Sequence, residues 1–221
     1  MIDTRQQGFT LLELMVAVAI SGMLIAVVAM AFTGQSKSYN AGQDITSLQQ
    51  EMRSALQFMA KEIRMAGYDP TGSSGAKIIT ANATTFEFSQ DLTEDGDTND
   101  ADESIRYATY VNGDGIKCLG RKSGAGVSQP VAENIEQLMF EYYLDNDTWT
   151  RAPASLKNID AVKIMILGRS ARQTAGQVDN STLKPPVTSG AQPDWTPAAP
   201  GNYHWRIMSL IVQCRNLQIK S

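Results

Sequence analysis

Between Phe9 and Phe32 the chain reads FTLLELMVAVAISGMLIAVVAMAF, an apolar run whose single charge is Glu13. As a helix rising about 1.5 Å per residue it would span about 36 Å, against about 30 Å for the hydrocarbon of a bilayer. Downstream the period changes. Ile45, Leu48, Met52, Leu56, Met59 and Ile63 recur in steps of three and four, with Glu51, Arg53, Lys61, Glu62 and Arg64 on other faces. That pattern predicts an amphipathic helix over 35–68, its apolar stripe facing a sheet rather than a coiled-coil partner. Gly67 and Asp69-Pro70-Thr71-Gly72 supply the stop and turn.

The rest reads as strands. Short runs at 77–80 and 85–89 are followed by alternation at 105–111. Asn112-Gly113-Asp114-Gly115 then signals a hairpin into 116–121. Ile135–Leu144 (IEQLMFEYYL), 161–167 (AVKIMIL) and 205–215 (WRIMSLIVQCR) are strongly apolar. The stretch 171–202 holds five of the eight prolines and no periodicity, which predicts a long surface loop. A helix followed by antiparallel strands is an α+β arrangement, here a long N-terminal helix packed on a β-rich domain over 69–221.

The start of the chain does not fit a cleaved secretory signal. Such a signal has a basic start, about 7–15 apolar residues and a small-residue cut site after them. Here the short polar leader MIDTRQQG ends in Gly8, before the apolar run. Cutting there removes residues 1–8 and keeps the helix. Glu13 then stands one turn beyond a new α-amino group on Phe9. A carboxylate inside an apolar helix costs roughly 2.5–3.5 kcal/mol on insertion scales. Either it sits at headgroup level in a plain anchor, or it pairs with an amine, and between staggered chains such a pair fixes axial register.

Composition narrows the chemistry. Net charge is −4 over 221 residues, so there is no broad basic field to hold nucleic acid. The one histidine, His204, has no evident partner nucleophile or second ligand, so no enzyme is expected and His204 reads as structural. In the acidic loop 91–103, oxygen-bearing residues fall at calcium-loop positions: Asp91, Thr93, Asp95, the Asp97 carbonyl, Asn99 and Asp102, with Gly96 at the turn. The pattern is consistent with a single weak Ca2+ site of the extracellular kind, or with a solvated acidic loop. No other cofactor is expected. Cys118 and Cys214 fit no metal spacing; outside the cytoplasm they form one disulfide, or else remain two buried thiols.

The run Gly8-Phe9-Thr10-Leu11-Leu12-Glu13 resembles the prepilin processing motif of type IV pilins and type II secretion pseudopilins. Met52–Pro70 (MRSALQFMAKEIRMAGYDP), 131–143 (VAENIEQLMFEYY), 159–172 ending in LGRSAR, and Arg215-Asn216-Leu217 resemble the PilW-type minor pilins. The resemblance covers most of the chain. It implies cleavage between Gly8 and Phe9 by a prepilin peptidase, N-methylation of Phe9, and docking through Glu13. It implies a single-pass bacterial inner-membrane protein that then enters a pilus. Its partners would be other minor and major pilins and an inner-membrane assembly platform, in a complex that starts or caps the filament. Many pilins carry a proline in the first helix; this one has only Ser21-Gly22, a weaker point for loosening. Two other functions fit the same pattern: a J-type minor pseudopilin of type II secretion, and a membrane-tethered adhesin or ligand-binding module using the loop 171–202.

Overall fold

The computed structural model describes residues 9–174, 183–196 and 201–218. Gly8 and the rest of the expected leader lie outside these. The chain divides into two compact units, 1–43 and 44–221. Helix α1 (Leu11–Ile63) contributes to both.

In the first unit the helix is exposed all round. Every large apolar side chain from Phe9 to Phe32 is at least half exposed, from 50% at Val16 to 91% at Phe9. It is the one described helix long and apolar enough to cross a membrane. An apolar surface of that size left open in a single chain marks a contact with lipid or with other chains.

In the second unit the same helix becomes one-sided. Leu48, Met52, Ala55, Leu56, Met59, Ala60 and Ile63 are buried, and Ile45 is only half-buried at the start of the stripe. Burying the five larger side chains of that stripe contributes roughly 1.5–3 kcal/mol each. Helical geometry ends at Ile63, somewhat before the expected 68. Gly67 completes the exit at φ +77°, and a Cβ there would stand 2.3 Å from Leu217 Cδ2. Only glycine fits both the left-handed backbone and the close approach.

The strands form two antiparallel sheets, not one. The first is a meander of β1 (Ile78–Ala81), β2 (Phe86–Ser89), β3 (Ser104–Val111), β4 (Lys117–Ser123) and β5 (Gln129–Glu133) in spatial order. The hairpin at Asn112 is as the sequence predicts: its side-chain oxygen accepts the N–H groups of Asp114 and Ile116. The second sheet contains β6 (Ile135–Leu144), β7 (Trp149–Thr150), β8 (Ile159–Arg169) and β9 (Trp205–Gln213), in the order β7-β6-β8-β9. Neither β5 nor β7 is evident in the sequence pattern.

One core joins the helix stripe to both sheets. It takes Phe86, Phe88, Ile105, Tyr107 and Leu119 from the first, and Phe140, Tyr142, Val162, Ile164, Ile166 and Val212 from the second. Gly168 on β8 lets the helix come close; a Cβ there would lie 2.9 Å from Met52 Sδ and 3.0 Å from Leu48 Cδ1. The opposite face of the second sheet is covered too. Met139, Met165, Leu167 and Trp205 pack with Trp195, Leu183 and Val187 of the segment 183–196. This part of the expected surface loop is therefore a strap lying on the sheet.

Candidate assembly interface

The first unit starts at a hydrogen-bonded cap. The Thr10 N–H and hydroxyl donate to Glu13 Oε2 at 2.9 and 3.0 Å. The Glu13 N–H donates back to Thr10 Oγ1 at 3.2 Å. Leu14 N–H closes the first helical bond on Thr10 O. This is a reciprocal capping box, which satisfies amide donors that the helix start leaves open. Thr10 was not among the residues singled out from the sequence, although Thr-x-x-Glu before an apolar run is the signature of such a cap. Phe9 precedes it, exposed, so Glu13 faces the end of the chain that removal of residues 1–8 would create.

The acidic loop organises itself around carboxylates in a way its calcium-like spacing does not anticipate. Asp91 is fully buried, and its oxygens accept the N–H groups of Glu94 at 2.7 Å and Gly96 at 3.2 Å. Asp95 and Asp97 each accept the N–H two residues on. Asp102 turns away to Arg121, 2.8 Å from its Nη2. Among the described residues no group of three or more His, Cys, Asp or Glu comes together to hold a metal ion. Asp91, Thr93, Asp95, Asp97, Asn99 and Asp102 are thus not gathered into one coordination sphere.

Glu103, outside that set, holds the loop instead. It is buried, and it accepts the N–H groups of Leu92, Thr93 and Asp100 and the Thr93 hydroxyl. Burial alone would raise its pKa; the amides of Thr93, Asp100 and Leu92, with the Thr93 hydroxyl, outweigh this and hold it below the ordinary value. Arg121 ties the loop to the helix by pairing with Glu62 at 2.9 Å as well as with Asp102. The Tyr107 hydroxyl donates to the same Glu62. Burial, then the Glu62 charge, push that phenol well above its usual range.

Of the two states left open for Cys118 and Cys214, the structure has the second: both are buried free thiols. Cys118 belongs to β4 in the first sheet, and Cys214 follows β9 in the second. Burial, then the Asp160 charge, push the Cys214 thiol up to about 12, so it is poorly reactive in the fold. His204 is half-buried and gives its backbone N–H to Ser170 Oγ, a structural placement next to β9.

The polar centre that sequence reasoning missed is Glu141. It lies fully buried on β6, directly across from Lys163 of β8. Its oxygens accept the N–H groups of Thr188 at 2.8 Å and Ser189 at 3.1 Å, and the Ser189 hydroxyl at 3.2 Å. Arg151 Nε stands 3.5 Å away and Lys163 Nζ 3.9 Å. The two cations also reach the strap: Lys163 donates to Pro186 O and Thr188 Oγ1, and Arg151 to the carbonyls of Ser189 and Ala191. The signal was an acid, Glu141, set among apolar residues in the middle of IEQLMFEYYL, with a single base, Lys163, similarly placed in AVKIMIL.

Comparison with known proteins gives two family matches. Residues 3–29 match the prokaryotic N-terminal methylation motif. Residues 42–181 match the model for prepilin peptidase-dependent protein B. No curated protein matches in sequence. Among solved structures, a type IV-like pilin from Thermus thermophilus aligns at 16% identity and a TM-score of 0.46, over 76% of this chain and 97% of its own. With the methylation motif on an exposed apolar helix and a family model over more than half its length, the chain belongs to the prepilin peptidase-dependent protein B family.

Proposed function

We propose that this chain is a minor subunit that helps start or cap a type IV pilus, assembling through its first helix. The observation that carries the reading is the exposed apolar helix from Phe9 to Phe32 with Glu13 as its one charge. Hydrolysis of the Gly8–Phe9 bond leaves a carboxylate on Gly8 and an ammonium on Phe9. In a bundle of such helices, apolar side chains pack against one another and the Glu13 carboxylate meets the Phe9 ammonium of a neighbour. Only the correct stagger leaves neither charge alone. The roughly 2.5–3.5 kcal/mol attached to an unpaired carboxylate at that depth corresponds to about a hundredfold preference for the paired register.

The capping box supplies a test that separates charge from helix capping. Glu13→Gln keeps an oxygen acceptor for Thr10 and removes the charge, whereas Glu13→Ala removes both. Both variants should be inserted and lose their leaders, and both should be missing from purified filaments. Wild-type incorporation of Glu13→Gln would refute electrostatic registration and leave capping as the role of this residue.

A further inference from the structure

The two sheets have four edges, and three are blunted. β1 is four residues long with an irregular register against β2. β5 carries Pro130, and β7 is two residues. β9 is different: nine residues, no proline, one charge at Arg206, and an unbroken register against β8 from Ala161↔Gln213 to Arg169↔Trp205. Long, regular, apolar edges are what proteins avoid unless something pairs with them.

The direction of its backbone groups follows from the ladder. Ser170 N–H donates to His204 O, and Cys214 N–H donates to Asp160 O. Residues 204 and 214, just outside the two ends of β9, therefore both face β8. In a regular antiparallel pair, residues alternate between exchanging hydrogen bonds with the partner and facing away from it. Hence 206, 208, 210 and 212 face β8, while Ile207, Ser209, Ile211 and Gln213 turn their N–H and C=O groups outward. The Trp205 carbonyl accepts from Arg206 Nη1. Among the described residues, nothing hydrogen-bonds the outward groups of the other four. The edge is flanked by half-buried Ile207, Met208 and Leu210 and by Ile211, 54% exposed.

We infer that the β9 edge from Ile207 to Gln213 is a strand-addition site for a neighbouring filament subunit of different sequence. That subunit inserts an extended segment with apolar residues at alternating positions. This inference rests on the filament reading above. Outward donors and acceptors at every second residue over about 20 Å are satisfied together only by another extended backbone. Symmetry selects the partner. Two β9 edges pairing with each other make an isologous contact, which closes; a filament needs heterologous contacts. A heterologous contact between identical chains needs a second long free edge, and β1, β5 and β7 do not offer one. The complementary strand therefore comes from another kind of subunit.

The test uses the full chain in cells that assemble the filament. A photoreactive benzoylphenylalanine replaces Ile211, and adducts are mapped by peptide mass spectrometry. The expected adduct is a strand segment of a different pilin-type chain. Ser209→Pro removes one outward donor without touching the β8 ladder, a position where proline is tolerated. It should keep normal abundance and leader removal and lower the adduct about tenfold or more, as one mispaired edge disrupts the whole added strand. Ile211→Lys, tested without the photoprobe by co-purification of the chain the adduct identifies, should lose that partner to a similar extent. An adduct to a second copy of this chain, an adduct to its own residues 171–202, no adduct, or unchanged capture by the two variants would each overturn the inference. If Glu13→Ala is excluded from filaments while Ser209→Pro assembles normally, strand addition fails and the filament reading stands. If Ser209→Pro loses the partner while Glu13→Ala assembles normally, strand addition stands and the register model fails.

Discussion

Glu141→Ala is the perturbation whose consequences the structure specifies most closely. The wild-type carboxylate is fully buried and accepts from two strap amides and one hydroxyl, with Arg151 and Lys163 beside it. Alanine leaves the Thr188 and Ser189 amides without their acceptor and the charges of Arg151 and Lys163 without their counter-charge. Breaking a buried pair by deleting one member costs about 3–5 kcal/mol, because the remaining charge is uncompensated. For a domain of this size about 1 kcal/mol corresponds to about 2–4 °C, so the melting temperature should fall by roughly 6–20 °C. The loss should also be local in character. The strap 183–196 is held by this cluster and by the packing of Trp195 and Leu183 on Met139, Met165, Leu167 and Trp205. Without Glu141 the strap should lift, and chymotrypsin should cut after Trp195 in the detergent-extracted chain under conditions that leave the wild type intact. Melting by circular dichroism and mapping of the cut site are the two readouts. A variant that melts within about 1 °C of wild type and shows no new cleavage would refute the claim that Glu141 fastens the strap, since surface substitutions typically fall within about 0.5 kcal/mol.

Acid should loosen the loop 91–103. The Glu103 pKa is depressed in the fold, so its contribution is complete above the unfolded value, about 4.3, and is lost as pH falls through the lower folded value. Stability measured from pH 6 to 3 should therefore drop at the acid end, and Glu103→Gln should flatten that part of the curve; an unchanged slope would contradict the assignment. The two thiols give a simpler check. Without reductant, both Cys118 and Cys214 should resist alkylation in the folded chain and take up two labels in denaturant; no label in denaturant would mean that they are bridged.

Much of the fold was legible because its elements carry strong periods. The apolar run, the stripe from Leu48 to Ile63 and six of the seven expected strands needed only small adjustment at their ends, while the last stopped at Gln213 instead of 215. β5 was hidden because Pro130 argues against a strand, and a proline is admissible there only because β5 is an edge. The division into two sheets was not legible, since no local pattern says which strands pair across the helix. The strap was misjudged for a related reason. Prolines and polar residues around 183–196 mark a loop correctly, but Leu183, Val187 and Trp195 decide where it lies, through contacts distant in sequence.

The candidate sites divide the same way. The Thr10–Glu13 cap is carried by local spacing, because it closes within one turn of one helix. The calcium-like spacing at 91–102 carried less information. Asp, Asn and Gly serve turns as readily as ions, and here Asp91, Asp95 and Asp97 accept from nearby backbone amides. The tie that matters for the loop, Glu62–Arg121–Asp102, joins three distant segments and has no local signature.

The account depends most on the fate of the N-terminus, and the intact mass of the native chain extracted from membranes measures it directly. The predicted result is a mature chain that begins at Phe9, carries one added methyl group and retains the whole apolar helix. A chain that still begins at Met1, or one that begins beyond Phe32, would contradict it.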